Sequence, residues 1–117
     1  MDNNKINENL IVKLSFDFSL LIIEFAEVLE QKRKYVIANQ LLKSGTSIGA
    51  NIWEAQNAES KADFIHKMKI SAKECEETKY WVLLCKYSSS YPDCDNLIEK
   101  IEIIQKVLNK IISTSKR

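Results

Sequence analysis

Glycine and proline are scarce in this chain, which has two glycines and one proline among 117 residues. Folds built from many strands use both residues at their turns, so this scarcity argues against a β-sandwich or barrel. Leucine, isoleucine, lysine and glutamate dominate instead, a composition typical of an all-α protein. The length predicts one domain, residues 1–117, with room for a single core.

Long apolar runs are also lacking. No stretch of eighteen or more apolar residues exists, which excludes a membrane-spanning helix. The first ten residues, MDNNKINENL, are polar and lack the apolar segment of a signal peptide. We therefore expect a cytoplasmic protein without a membrane partner.

Metal-binding and catalytic patterns are equally sparse. Cys75, Cys85 and Cys94 are odd in number and lack C-x-x-C spacing, which predicts buried reduced thiols rather than a disulfide framework or zinc site. His66 is the single histidine, whereas a di-iron bundle needs Glu-x-x-His on two helices. No nucleophile with an adjacent base, phosphate loop or cofactor fingerprint appears. We expect no metal, cofactor, small-molecule substrate or enzymatic activity.

Apolar periodicity predicts four helices, at about residues 9–31, 35–57, 61–87 and 94–113. Ser60 has the position of an N-cap, with Asp63 three residues later. Residues 88–93, SSSYPD, form the clearest loop, after which Asp93 or Asp95 can cap the last helix. Short connections place consecutive helices side by side, which predicts an up-down-up-down antiparallel four-helix bundle.

Both glycines lie on one apolar face of the second predicted helix. Gly45 and Gly49 are four residues apart, and each costs about 1 kcal/mol in a helix relative to alanine. The absence of Cβ on consecutive turns predicts that a neighbouring helix approaches closely there.

Polar side chains form a second stripe on the same helix. Ser44, Ser47, Asn51 and Glu54 recur at helical spacing, and Glu77 stands on the next helix. We predict a buried hydrogen-bond network of Ser47, Asn51, Glu54 and Glu77, in which Glu54 accepts from Ser47, Asn51 or Thr78 and so fixes the helix register. The alternative is an acid–base pair between Glu54 and Glu74 or Glu77.

The first helix is apolar on two sides. Its predicted core stripe is Leu14, Phe18, Leu21, Phe25 and Val28, and a second stripe of Val12, Phe16, Leu20 and Ile23 lies roughly opposite. A small protein cannot bury both sides, so the second stripe predicts self-association. Trp53 is a further interface candidate; alternatively, its ring covers small residues of its own helix.

One segment of the sequence resembles a known protein family. Residues 44–81, SGTSIGANIWEAQNAESKADFIHKMKISAKECEETKYW, closely resemble the four-helix-bundle proteins encoded by intervening sequences within bacterial 23S rRNA genes. The most specific part is Ser-Ile-Gly-Ala-Asn-Ile-x-Glu-Ala at 47–55, followed by Phe64 and Glu77-Thr78, and a weaker resemblance extends from about Leu10 to Ile112. The resemblance implies a homopentamer with a connection to RNA or the ribosome. The retroelement accessory variability protein is similar in fold.

Seventeen basic and sixteen acidic residues leave a net charge of +1, so any basic surface must come from the way the fold gathers side chains. Repeated around a ring, a modest cluster at one end of the bundle would become a basic rim that contacts phosphates; an ordinary solvated surface is the alternative. The nucleic-acid candidates are Lys32, Arg33 and Lys34 at one end and Lys61, Lys67, Lys116 and Arg117 at the other.

These patterns lead to two hypotheses about function. The first is a non-catalytic, ring-like homo-oligomeric scaffold that binds RNA or a nucleoprotein partner through a basic rim. The second is a protein-interaction adaptor with no role in nucleic-acid binding.

Overall fold

A computed structural model describes residues 9–116, and this part of the chain consists of four α-helices without a β-strand. The helices are α1 (Leu10–Gln31), α2 (Tyr35–Ala55), α3 (Lys61–Tyr87) and α4 (Asp95–Ser115). The predicted all-α class and four helices are confirmed, with boundaries that differ by at most two residues. None of these helices is long and apolar enough to cross a membrane.

N-cap side chains accept hydrogen bonds from backbone amides at the starts of α1 and α3. Asn9 Oδ1 accepts a hydrogen bond from the Val12 amide, and Ser60 Oγ accepts one from the Asp63 amide at 3.0 Å, as the sequence predicts. The Asp63 carboxylate reaches back to the Glu59 amide, one residue beyond the usual partner in a capping box. Before α4, Asp93 Oδ1 accepts from the Asp95 amide at 3.1 Å.

The C-terminus of α1 ends in a Schellman motif. The Lys34 amide donates to the Leu29 carbonyl at 2.8 Å, and the Arg33 amide donates to the Glu30 carbonyl at 2.9 Å. Arg33 has φ 63°, the left-handed conformation that glycine usually supplies at this position. The turn between α1 and α2 therefore places a charged residue where glycine would be less strained.

Each helix packs against two others: α1 contacts α2, α2 contacts α3, α3 contacts α4, and α4 returns to α1. Hydrogen bonds give the direction of two pairs. Ser71 on α3 bonds to Ile48 on α2, whereas the later Thr78 bonds to the earlier Ser44, so α2 and α3 run in opposite directions. On α4, Gln105 donates to Glu76 of α3, while the earlier Asp95 pairs with the later Lys86.

The core stripe of α1 is rotated from the predicted one. Phe18 is buried as expected, but the next inward residue is Ile22 rather than Leu21, and Val28 is 38% exposed. Residues 20–23 are all apolar, so the hydrophobic pattern alone does not show which of them points into the core. Contact with Gly45 on α2 determines that Ile22 is the buried residue. The buried residues of α1 are Ile11, Val12, Ser15, Phe18, Ile22, Ala26 and Leu29.

The close approach predicted at the two glycines is confirmed. A Cβ atom on Gly45 would lie 2.8 Å from Ile22 Cγ1 and Cγ2. A Cβ atom on Gly49 would lie 3.1 Å from Ser19 Oγ and 3.3 Å from the Ser15 carbonyl oxygen. The backbone of α2 thus lies directly against α1.

Candidate interaction surfaces

An apolar groove opens on the outer side of the contact between α1 and α2, with a volume of about 320 Å³. Leu20 and Ile23 on its wall are 48% and 39% exposed, and Phe16 and Trp53 are half-buried. Its lining is almost entirely apolar side chains and small residues. These are Val12, Ser15, Phe16, Ser19, Leu20, Ile23, Thr46, Gly49, Ala50 and Trp53.

Small residues form the floor of this groove. Ser15 and Ser19 are four apart on α1, and they meet Gly49, which stands four residues after Gly45 on α2. Because these residues add little volume, the larger side chains beside them stand above a hollow. Sequence reasoning found the glycines but missed the serines. The serines could have been found from their spacing, because small residues recur four apart on both α1 and α2.

Val12 is a correction to the predicted interface. It is 1% exposed and belongs to the core of the subunit, although it stands at helical spacing from Phe16. The rotation of α1 that buries Ile22 against Gly45 also turns Val12 inward. The structure brings the other four interface candidates, Phe16, Leu20, Ile23 and Trp53, together around one groove.

The predicted buried network is also corrected. Asn51 Nδ2 donates to Ser47, at 2.9 Å to its carbonyl and 3.3 Å to its hydroxyl, but both residues are half-buried. The side chain of Glu54 is 58% exposed and accepts from Lys67, and the exposed Glu77 accepts from Trp81 Nε1. Dehydrating a carboxylate is costly, and both side chains reach solvent from their helices.

Hydroxyl groups are buried here instead of the carboxylates, and two of them, Ser44 of the predicted stripe and Thr78, belong to the sequence-based prediction. Ser44, Ser71 and Thr78 are each fully buried between α2 and α3. Ser71 Oγ donates to the Ile48 carbonyl at 2.9 Å, and the Ser44 and Thr78 hydroxyls are hydrogen-bonded at 2.9 Å. One or two hydrogen bonds satisfy a buried hydroxyl group, whereas a buried carboxylate must also lose the hydration of its charge. A hydroxyl group is therefore easier to bury than a carboxylate.

The carboxylates do not assemble the predicted acid–base alternative. Glu54 pairs with Lys67, several turns before Glu77 on α3. Burial raises the pKa of Glu74, and the nearby charge of Glu77 raises it further. Glu74 and Glu77 both lie on α3. None of the side-chain hydrogen bonds and ion pairs between residues 9 and 116 joins either carboxylate to a nucleophile or a base.

The seven nucleic-acid candidates do not form one patch on a subunit. Lys32 and Arg33 are exposed in the turn after α1, and Lys34 Nζ lies 4.9 Å from the centre of the Tyr91 ring. Lys61 and Lys67 lie in the first two turns of α3, and Lys116 follows the end of α4, so these three belong to the opposite end of a molecule 46 Å long. Arg117 lies outside the described residues.

Lys67 is already paired with an acidic side chain. Its Nζ lies 3.0 Å from Glu54 Oε1, and this hydrogen bond raises the pKa of Lys67. A lysine held by a carboxylate contributes less to phosphate binding than an unpaired one. Lys61 and Lys116 are exposed at the two helix termini.

All three cysteines are buried and carry free thiols, as predicted. Desolvation is the main cause of their raised pKa values, which reach about 12 for Cys75 and about 11 for Cys85. Cys94 Sγ donates to the Val82 carbonyl at 3.4 Å, and burial raises its pKa as well. Protonated, enclosed thiols are poor nucleophiles. Between residues 9 and 116, no three histidine, cysteine or acidic side chains converge as metal ligands.

Comparison with known proteins agrees with this architecture. A crystal structure from Bacteroides thetaiotaomicron, described as a protein with unknown function from the S23 ribosomal protein family, is 38% identical and superposes with a TM-score of 0.80. The similarity covers 87% of this chain and 97% of the other. No curated protein matches the chain significantly. The model of the 23S rRNA-intervening sequence protein family matches residues 7–110. The chain therefore belongs to the 23S rRNA-intervening sequence protein family.

Proposed function

We propose that this protein is a non-catalytic scaffold in the cytoplasm, built as an up-down-up-down antiparallel four-helix bundle that assembles into a ring-like homo-oligomer. The resemblance described above favours a pentamer. In this proposal, the ring binds RNA or a nucleoprotein partner through its basic residues. The observation that carries it is the exposed apolar groove formed by Phe16, Leu20, Ile23 and Trp53.

The groove supports assembly because its walls are large apolar side chains facing water. Leu20 and Ile23 stand on the outside of α1, while the inner side of α1 is already filled by core residues such as Phe18 and Ile22. Closed rings form when one face of a subunit contacts a different face of the next. A groove on one face suits such a contact, because an apolar side chain that protrudes from the next copy can enter it.

The turn between α1 and α2 supports the RNA interaction. Lys32 and Arg33 are exposed, and no carboxylate among residues 9–116 forms an ion pair with either of them. Arg33 adopts the left-handed conformation at a conformational cost of about 1 kcal/mol. A charged residue held in such a position is a reasonable sign of a functional surface. Five copies of the turn on one side of a ring would multiply a weak phosphate contact.

The second candidate, a protein-interaction adaptor, is favoured by the same groove. An amphipathic helix of a partner protein could insert apolar residues between Trp53 and Leu20 without any contribution from nucleic acid. The two functions differ in what the basic turn contributes, because only RNA binding needs it.

Assembly is tested by light scattering on the purified chain at micromolar concentration. We expect a mass near five subunits, and Leu20→Asp should reduce that mass because an acidic side chain cannot be buried in the contact. Val36→Asp is the matched control, since Val36 is exposed (73%) but lies outside the groove. A wild-type monomer would reject the scaffold proposal.

RNA binding is tested by fluorescence anisotropy over a series of salt concentrations. Binding through phosphates weakens as salt increases. The Lys32→Glu/Arg33→Glu variant should lose binding, whereas Lys100→Glu/Lys106→Glu, with the same charge change on α4, should retain most of it. No RNA binding at low salt, together with co-purification of one protein after nuclease treatment, would favour the adaptor.

A further inference from the structure

Two connections meet at the end of the subunit that carries the basic turn. We call this the loop end: it contains the α1–α2 turn, residues 32–34, and the α3–α4 loop, residues 88–94. Lys34 Nζ lies 4.9 Å from the centre of the Tyr91 ring, which brings the two connections together. Since α2 and α3 run in opposite directions, the start of α2 at Tyr35 and the end of α3 at Tyr87 both lie at this end.

Three of the four tyrosines lie at the loop end, and two of them are exposed. The three are Tyr35, Tyr87 and Tyr91. Tyr35 is 57% exposed and Tyr87 is 80% exposed, so neither ring contributes its full area to the core. Aromatic side chains usually stabilise a fold by burying most of their surface. These two rings therefore present flat apolar faces to solvent beside basic groups.

A basic side chain lies over one of these two rings. Lys86 Nζ lies 5.9 Å from the centre of the Tyr87 ring and 3.3 Å from Asp95 Oδ1. The other acidic group of the loop, Asp93, accepts a hydrogen bond from the backbone amide of Asp95. Asp95 is thus paired with Lys86, and Asp93 keeps its negative charge, while Lys32 and Arg33 have no carboxylate partner among the described residues. Both of these basic residues directly precede Lys34 and Tyr35, so their positive charge lies close to the Tyr35 end of this surface.

We propose that the loop end binds single-stranded RNA, with unpaired bases stacking on Tyr35 and Tyr87 while Lys32 and Arg33 contact the phosphates. This inference rests on the proposed RNA-binding function and specifies its ligand. Bases of a duplex are stacked on one another, and their faces are closed to a side chain; a single strand exposes them. Every base has a flat face, so this surface binds with little preference for sequence.

The probe is a fluorescein-labelled oligouridylate of about 12 nucleotides, which is long enough to cross an aromatic–basic surface and forms no stable hairpin. A labelled RNA duplex of equal length is the comparison. We expect the single strand to bind more tightly than the duplex at low salt. The slope of log K against log salt should be about −1.4 for each engaged subunit, because Lys32 and Arg33 contact two phosphates.

Variants separate stacking from charge. Tyr35→Ala and Tyr87→Ala should each weaken oligouridylate binding by roughly tenfold, whereas Tyr87→Phe, which retains the ring, should bind within about twofold of the wild type. Tyr80→Ala is the matched control. Tyr80 is as exposed as Tyr35, at 58%, but its ring packs edge-on against Trp81 with centroids 5.3 Å apart. Its loss should leave binding within about twofold.

The outcomes distinguish this inference from the proposed function. If duplex and single strand bind equally, and only Lys32→Glu/Arg33→Glu reduces binding, the stacking surface is wrong and the RNA function stands. If neither RNA binds, both fail. Light scattering on Tyr35→Ala and Tyr87→Ala gives the remaining test: a fall in assembled mass would show that these tyrosines form a subunit contact and would overturn the inference, whereas unchanged mass with weakened binding supports it.

Discussion

Ile22 occupies the space that a side chain at position 45 would need. A Cβ atom on Gly45 would lie 2.8 Å from both Cγ1 and Cγ2 of Ile22, closer than real Cβ atoms approach other carbons. Both contacted atoms are attached directly to the Ile22 Cβ, and a β-branched side chain in a helix has one strongly preferred rotamer. The Ile22 side chain, which is fully buried, therefore cannot easily move away. The spacing of α1 and α2 depends on the missing Cβ.

Gly45→Ala should destabilise the protein by about 1–2 kcal/mol. Overpacking costs about 1–3 kcal/mol, and the better helix propensity of alanine returns part of that. Urea denaturation measures the difference. Gly49→Ala should have a smaller effect, because its added methyl would lie 3.1 Å from Ser19 Oγ and 3.3 Å from the Ser15 carbonyl oxygen, farther than the 2.8 Å contacts at position 45. In the Ile22→Ala background, Gly45→Ala should lose its penalty; equal effects in both backgrounds would contradict the proposed clash.

The Ser44–Thr78 hydrogen bond should contribute to stability because both hydroxyls are fully buried. Thr78→Val leaves the Ser44 hydroxyl without this partner and should lower the free energy of unfolding by about 1–3 kcal/mol. The double variant Ser44→Ala/Thr78→Val removes both groups, so its loss should be smaller than the sum of the single losses. Thr114→Val, at an exposed position of α4, is the control. If the loss in the double variant equalled the sum of the two single losses, the two hydroxyls would be acting independently.

The fold could be predicted from the sequence because helix periodicity, caps and loop residues agree with one another. Ser60 illustrates this agreement: an N-cap needs only a local hydrogen bond, and its position was predicted to the residue. The rotation of α1 was not predictable in the same way. Residues 20–23 are all apolar, so only contact with Gly45 on another helix selects Ile22 as the inward residue.

The candidate surfaces were predictable in part for the same reason. Phe16, Leu20 and Ile23 could be grouped by helical spacing, and they line one groove. Whether Glu54 is buried depends instead on its side chain reaching Lys67 across the helix pair, which spacing along one helix does not reveal. The tyrosines at the loop end were missed because they are far apart in sequence and are brought together only by the packing of α2 and α3.

Glu74 gives a prediction about pH. Burial raises its pKa above the ordinary value of 4.5, the charge of Glu77 adds to this effect, and Lys43 and Lys73 act in the opposite direction. A carboxyl group with a raised pKa binds its proton more tightly in the folded state, so its stabilising contribution is present below pH 4.5 and is lost as the pH rises through the folded pKa. Glu74→Gln should therefore stabilise the protein at neutral pH.

The measurement for Glu74 is urea denaturation of the wild type and Glu74→Gln at neutral pH and at about pH 4. The advantage of the variant should shrink at the lower pH, where the wild-type carboxyl is largely protonated. Glu99→Gln, which makes the same charge change at an exposed site of α4, is the control. A constant difference across this range would indicate that packing, and not ionisation, produces the effect.

Arg33→Gly should separate stability from RNA binding. Arg33 has φ 63° at the position where a Schellman motif favours glycine, so the substitution should raise the free energy of unfolding by roughly 0.5–1 kcal/mol after allowing for the greater freedom of glycine in the unfolded chain. The same change removes one positive charge, so RNA binding should weaken and its salt dependence should become less steep by about 0.7. Arg33→Lys retains both the charge and the strained backbone and should resemble the wild type in urea denaturation and in anisotropy. If Arg33→Gly were less stable than the wild type, the arginine side chain would be making a stabilising contact, and its left-handed backbone could no longer be taken as a sign of function. If the Arg33→Gly variant bound RNA as well as the wild type, Arg33 would have no part in the interaction.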